Sequence, residues 1–380
     1  MPDDHEFGDE VNVVRFAPRT EQGAAESTLT FLPFDRWDDT TPPALDWAVD
    51  LMMPRANVTL LSGEGAVGKS ILVMQLCVAI AAARDWIRQM PAPGAAIYLG
   101  AEDDEDECRR RFTAIARHYK VSFNELVGRL FVSSLAGKDA VLAVADRNGL
   151  VRPTMLFQQL LELVRKIRPI LIGLDTAADM FAGNENDRAQ VRQFIGLLRL
   201  LAIAGHSAVL LASHPSRTGV SDESGLSGST AWHNSVRSRL YLKTATNDED
   251  ARDTGLRVLE MRKSNYGPQA ENIPLRWDAG VFKPIESLKQ GHERAAAEAA
   301  DEAVFLNLLG RFTTSGRTVS DKPSRSFAVS QFVLEPEGAA LGSKRLDQAM
   351  RRLFARNRIG VESYGRPSNP HSKIVTRELF

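Results

Sequence analysis

The chain has 380 residues, 43% of them hydrophobic and 25% charged, with a formal net charge of −1. That length allows about two domains plus tails, and the composition excludes fibrous and low-complexity classes. Two cysteines, Cys77 and Cys108, exclude a disulfide framework or a cysteine metal cluster, and their apolar or helical surroundings predict buried thiols in a reducing compartment.

The N-terminal "MPDDHEFGDE" is acidic and lacks an apolar core, so no signal peptide is expected. The longest apolar run, "ILVMQLCVAIAAA", has 13 residues and contains Gln75, too short to span a membrane. A cytoplasmic location without membrane partners is the expectation. Charge is unevenly spread. Residues 1–50 carry 12 Asp/Glu against 3 Arg, and residues 301–380 carry 13 Lys/Arg against 8 Asp/Glu. An acidic head and a basic tail direct any polyanion toward the C-terminal part.

In chain order, residues 1–42 are acidic without helical periodicity and read as a loosely attached arm. From 43 to 285 strands alternate with helices. The strands are Val58–Leu61, Ala96–Leu99, Leu130–Ser133, Ile170–Leu174, Ala208–Ala212, Ser238–Lys243 and Leu256–Arg262. The helices are Ser70–Ala83, Glu105–His118, Thr154–Arg168 and Arg188–Ala204. This alternation predicts an α/β domain with a mainly parallel sheet covered on both faces, and the last strands, joined without helices, predict an antiparallel edge. The alanine-rich "KQGHERAAAEAADEA" predicts a helical linker over 286–303. Residues 304–380 then read helix, helix, strand, turn, strand, the order of a winged helix-turn-helix.

The first strand runs into "SGEGAVGKS", with Gly63, Gly68, Lys69 and Ser70 in the spacing G-x4-G-K-S. Strand, glycine loop and helix in that order predict a phosphate cradle. Backbone N–H groups of Gly63, Glu64, Gly65, Ala66, Val67 and Gly68 would face an anion beside the positive end of the following helix. Lys69 would reach the β- and γ-phosphates of ATP, and Ser70 would supply an oxygen to Mg2+. Three further apolar strands end in polar groups at the same sheet edge. "LIGLD" ends in Asp175, a carboxylate for the Mg2+ shell. "AIYLGAE" places Glu102 three residues after Leu99, where it would polarise the attacking water. "AVLLASH" ends in His214, which would sense the γ-phosphate and report to the Gly/Ser/Thr-rich segment 216–233.

Together these stretches, with "RRR" after Glu102, "AADMFAGNENDR" and "MRKSNYG", resemble the RepA-type branch of the RecA-like ATPases, the plasmid and phage hexameric replicative DNA helicases. The resemblance covers residues 43–285. It implies a six-membered ring with ATP at the subunit interfaces, single-stranded DNA as partner, and a role in replicating a mobile element. It carries the loop 63–70, Asp175, Glu102 and His214 into the family's positions. It also implies cations offered to the neighbour's ATP: Arg237 as the arginine finger, Arg239 as second choice, and Lys263.

Single-stranded DNA contacts are expected from Arg188 in "AGNENDR" and Arg217 in "SRTG". Trp232 reads as a packing residue rather than a stacking platform. In the tail, "SKRLDQAMRRLFARN" places Leu346, Met350, Leu353 and Phe354 on one face, leaving Lys344, Arg345, Arg351 and Arg352 outward for duplex DNA. The alternative reading is a DNA-binding ATPase that acts as loader or regulator. A small-molecule kinase leaves the 216–233 segment and basic tail without a use.

Overall fold

The structure, a computed structural model, describes residues 13–14, 29–30, 32, 37, 41–214, 230–245, 255–268, 270–285, 288–366 and 369–377. The chain divides into two units, Met1–Asp46 and Trp47–Phe380. In the first, the two-residue strands β1 (Val13–Val14) and β2 (Leu29–Thr30) pair antiparallel. The remainder of the expected arm 1–42 lies almost entirely outside the described residues.

The second unit begins with the short hairpin β3 (Trp47–Val49) and β4 (Met53–Pro54). There follow β5 (Asn57–Gly63), α1 (Lys69–Ala82), β6 (Ala96–Gly100), α2 (Glu105–Tyr119), α3 (Phe123–Leu126), β7 (Leu130–Ser134), β8 (Ala143–Ala145), β9 (Val151–Pro153) and α4 (Met155–Ile167). Next are β10 (Leu171–Asp175), α5 (Ala177–Met180), β11 (Phe181–Ala182), α6 (Arg188–Gly205), β12 (Ala208–Ser213) and α7 (Thr230–Ser235). Four consecutive strands close the domain: β13 (Ser238–Thr244), β14 (Leu256–Ser264), β15 (Ile273–Asp278) and β16 (Val281–Pro284).

Nine strands form one sheet in the order β16-β15-β14-β13-β5-β12-β10-β6-β7. From β13 to β7 every pairing is parallel, and β13 through β16 pair antiparallel. The expected strands and helices are all present, each boundary within two residues. Strands β5, β10 and β12 are buried at every position, so they show no alternation. Helices on both faces explain this. On one face α1 and α2 pack with the apolar side chains of β14–β16; on the other lie α4, α6 and α7. Helix α6 shows how the pattern works. Val191, Phe194, Ile195, Leu198 and Leu201 make one apolar stripe, and Asp187 caps the first turn by accepting from the N–H groups of Ala189 and Gln190. Cutting Leu198, which is fully buried, to alanine should cost about 2–5 kcal/mol. A small sheet, β11-β8-β9, and the β15–β16 hairpin were not legible in the sequence.

The tail holds α8 (Leu288–Thr314), α9 (Ala328–Phe332), α10 (Pro336–Leu341), α11 (Ser343–Ala355) and the antiparallel hairpin of β17 (Ile359–Arg366) with β18 (Asn369–Thr376). Linker and tail share one helix. The expected boundary at 303/304 falls inside α8, because no breaker separates the alanine-rich stretch from Phe305, Leu308, Leu309 and Phe312, which enter a third core. The Ile374 N–H donates to the Val319 carbonyl at 2.8 Å, so Val319 extends the hairpin by one strand position. Among the described residues no helix is long and apolar enough to cross a membrane.

Candidate active site

Neighbouring strands bring the motif ends together. Register sets Ser213 beside Ser62 and Asp175 beside Gly100. The segments leaving the carboxyl ends of β5, β6, β10 and β12 therefore meet at one edge of the sheet. They enclose a cavity of about 280 Å3 lined by Lys69, Ser70, Glu102, Arg111, Asp175 and His214, among others.

The loop between β5 and α1 requires its glycines at two points. A Cβ on Gly63 would lie 2.4 Å from the Leu242 carbonyl oxygen. Gly68 has φ of +104°, and a Cβ there would strike the Phe282 ring at 2.5 Å. The loop is also tied from outside, since Arg257 Nε donates to the Val67 carbonyl at 3.1 Å. Helices α2, α4 and α6 have side-chain caps from Asp104, Thr154 and Asp187. Helix α1 has neither a side-chain cap nor an acidic residue in its first turn. Its leading N–H groups and partial positive charge stay available to an anion.

Lys69 is 5% exposed. Its Nζ donates to the carbonyls of Gly63 at 2.8 Å and Glu64 at 2.9 Å, and lies 3.3 Å from His214 Nδ1. Burial lowers its pKa to about 8, against the opposing pull of Asp175 and Glu102. An imidazole that accepts at Nδ1 carries its proton on Nε2. That nitrogen is 3.7 Å from Glu102 Oε1, so Lys69, His214 and Glu102 form one line across the cavity.

Asp175 is 3% exposed. Burial raises its carboxyl above the usual range, with Ser70 and the Tyr98 hydroxyl working the other way. Tyr98 donates to Oδ2 at 3.0 Å, while Oδ1 is buried with no hydrogen-bond partner. A buried carboxylate oxygen without a donor, beside a serine hydroxyl in a phosphate cradle, suits a hard cation such as Mg2+. Asp175 and Ser70 are the groups that fit one.

Arg111 was not singled out in the sequence. It projects from α2 into the cavity, with Asp103 at 2.5 Å and Glu107 at 2.8 Å. Its signal was the nine-residue step from Glu102 along "AEDDEDECRRR", which puts Arg111 just under two turns into a helix whose first turn is acidic.

The three cations expected to act across an interface do not line this cavity. Arg237 is exposed just before β13. Lys263 donates to the His233 carbonyl at 2.8 Å. Arg239 is enclosed within its own subunit at 3% exposure, donating to Ser62 Oγ at 3.2 Å. As placed, it is not presented at the surface as a finger must be.

Of the residues expected to meet DNA, Arg188 is exposed at the start of α6, and Arg217 lies outside the described residues. Trp232 is buried against Phe181 and Phe194, as its packing role required. On α11 the apolar face is as expected, with Leu346, Met350 and Leu353 buried. On the basic side Lys344 and Arg345 are exposed and Arg351 is half-buried, and only Arg352 needs correction. Arg352 is buried and bonds Glu302 at 3.1 Å, with Asp301 at 3.9 Å. Arg345 pairs with Asp301, Arg351 with Asp347, and Lys344 with Asp50. The cause of Arg352's burial is α8, whose Asp301 and Glu302 face α11 and hold that guanidinium inward.

A family model described as an AAA domain matches residues 24–220, more than half of the chain. No curated protein matches it. With the glycine loop, Lys69 and the partnerless carboxylate oxygen of Asp175 at the same sheet edge, the chain belongs to the AAA-domain family of P-loop ATPases.

Proposed function

We propose that the protein is an ATP-driven motor on single-stranded DNA, of the RepA type, assembled as a ring and serving the replication of a mobile element. The observation that carries the reading is the line Lys69–His214–Glu102 facing Asp175 across one small cavity. It supplies the parts hydrolysis needs. Lys69 leaves its loop carbonyls and takes up the terminal phosphates of ATP. Ser70 and Asp175 would hold Mg2+, which would supply positive charge against the phosphates. Glu102, at the open side of the cavity, accepts a proton from the attacking water. His214 exchanges its Lys69 contact for the γ-phosphate and passes the change to the segment 216–233, most of which lies outside the described residues.

In this reading Arg237 and Lys263 act on the ATP of the next subunit, and Arg188 and Arg217 hold the DNA backbone. The tail, with Val319 joined to the β17–β18 hairpin behind α11, is proposed as a winged-helix module. The ion pairs that engage Arg345, Arg351 and Arg352 favour a second reading for that module, docking of a protein rather than duplex DNA. Steady-state ATP hydrolysis with and without single-stranded DNA tests the proposal. Stimulation by DNA supports the motor, and hydrolysis indifferent to DNA contradicts it.

A further inference from the structure

Arg239 occupies an unusual place for a cation. It is nearly fully enclosed, and burial, followed by the charge of Arg262, lowers its pKa to about 10. Such a group stays charged at neutral pH at a cost in stability, so its contacts matter. On one side its Nε donates to Ser62 Oγ at 3.2 Å, and Ser62 directly precedes Gly63, where the phosphate loop begins. On the other its guanidinium lies 3.5 Å from Nδ1 of His233 on α7. Burial and the cations Lys263 and Arg239 push the His233 imidazole below 6.5, so at pH 7 it is neutral and Nδ1 accepts.

His233 in turn fixes the outer cations. Its carbonyl receives Lys263 Nζ at 2.8 Å. Lys263 is also the cross-strand partner of Arg239 in the β13–β14 ladder, next to a bulge between Arg239 and Leu240 that re-aims the strand. Arg237, two residues before Arg239, is close enough that its charge acts on the Lys263 amine. A continuous path therefore runs from the strand before the phosphate loop, through a rigid planar guanidinium, to the residue holding Lys263.

We propose that Arg239 and His233 are positioning residues that couple a subunit's own phosphate loop to the placement of Lys263 and Arg237, the cations it offers to its neighbour's ATP. This rests on the ring reading above. It assigns Arg239 a part inside its own subunit, where its burial puts it, rather than at the interface. It also makes successive ATP sites around the ring interdependent.

The test is the Hill coefficient for ATP in steady-state hydrolysis by the full chain. Wild type is compared with His233→Leu, His233→Asn and Ser62→Ala. Asparagine keeps an acceptor near the position of Nδ1 and leucine does not. The expected result is a coefficient above 1 for wild type and His233→Asn, falling to about 1 for His233→Leu and Ser62→Ala. A cooperative wild type whose coefficient survives His233→Leu overturns this inference alone. The same holds if His233→Asn loses cooperativity as fully as His233→Leu, since shape and not the acceptor would then be at work. A wild type that stays monomeric with ATP and shows a coefficient of 1 removes the ring reading and this coupling together.

Discussion

Lys69→Met separates what the buried ammonium costs from what it does. Burial takes this group from 10.5 to about 8. At about 1.4 kcal/mol per pKa unit, keeping it charged costs the nucleotide-free fold about 3 kcal/mol at pH 7. For a lysine lowered on folding, the penalty is complete below about pH 8 and fades as pH rises toward 10.5, where the unfolded chain also loses the proton. Methionine has similar length and no charge. It leaves the carbonyls of Gly63 and Glu64 without the Nζ donor, which offsets about 1–2 kcal/mol. The net expectation is a nucleotide-free variant more stable than wild type by about 1–2 kcal/mol at pH 7. That is a rise in melting temperature of a few degrees. Magnesium and ATP should reverse the order, stabilising wild type and leaving the variant unchanged. Calorimetric melting of both proteins at pH 7 and pH 9.5, with and without nucleotide, reads all of this. A variant less stable than wild type at pH 7, or a difference that does not shrink at the higher pH, would refute the burial argument for Lys69.

Glu102→Gln should bind ATP with affinity near wild type and hydrolyse it about 10²–10⁴-fold more slowly, measured by nucleotide binding beside single-turnover hydrolysis. Asp175→Asn removes a carboxylate whose pKa burial raises. It should stabilise the nucleotide-free protein at pH 7 by an amount that narrows as acid protonates the wild-type group, and hydrolysis should lose its response to Mg2+ titration. Arg237→Ala should spare ATP binding and slow hydrolysis. Mixing it with Glu102→Gln subunits should recover part of the activity, and an inactive mixture argues against action in trans.

The parallel core was legible because its signals are strong and local. Buried strands such as "LIGLD" read as unbroken apolar runs, and the loop 63–70 has few alternative uses. Glu102, Asp175 and His214 were placed by one rule, that polar residues ending buried parallel strands meet at the sheet edge. Arg111 escaped because it reaches the cavity from a helix, and the rule speaks of strand ends. The two- and three-residue strands β8, β9 and β11 are too short to carry a period. Arg352 on α11 was misjudged because helical periodicity places side chains on a helix but is blind to what lies opposite. Asp301 and Glu302, more than forty residues earlier, decide where Arg345 and Arg352 point. The enclosure of Arg239 follows from the partner strand β5 and from α7, and nothing in "VRSRLYL" announces either.

The most direct test of the account is strand separation on a forked DNA duplex with ATP and Mg2+, wild type beside Glu102→Gln. The account predicts separated strands with wild type and none with the variant. Wild type that hydrolyses ATP on DNA yet leaves the fork intact would contradict a strand-separating motor and point to a loader or regulator built on the same ATPase.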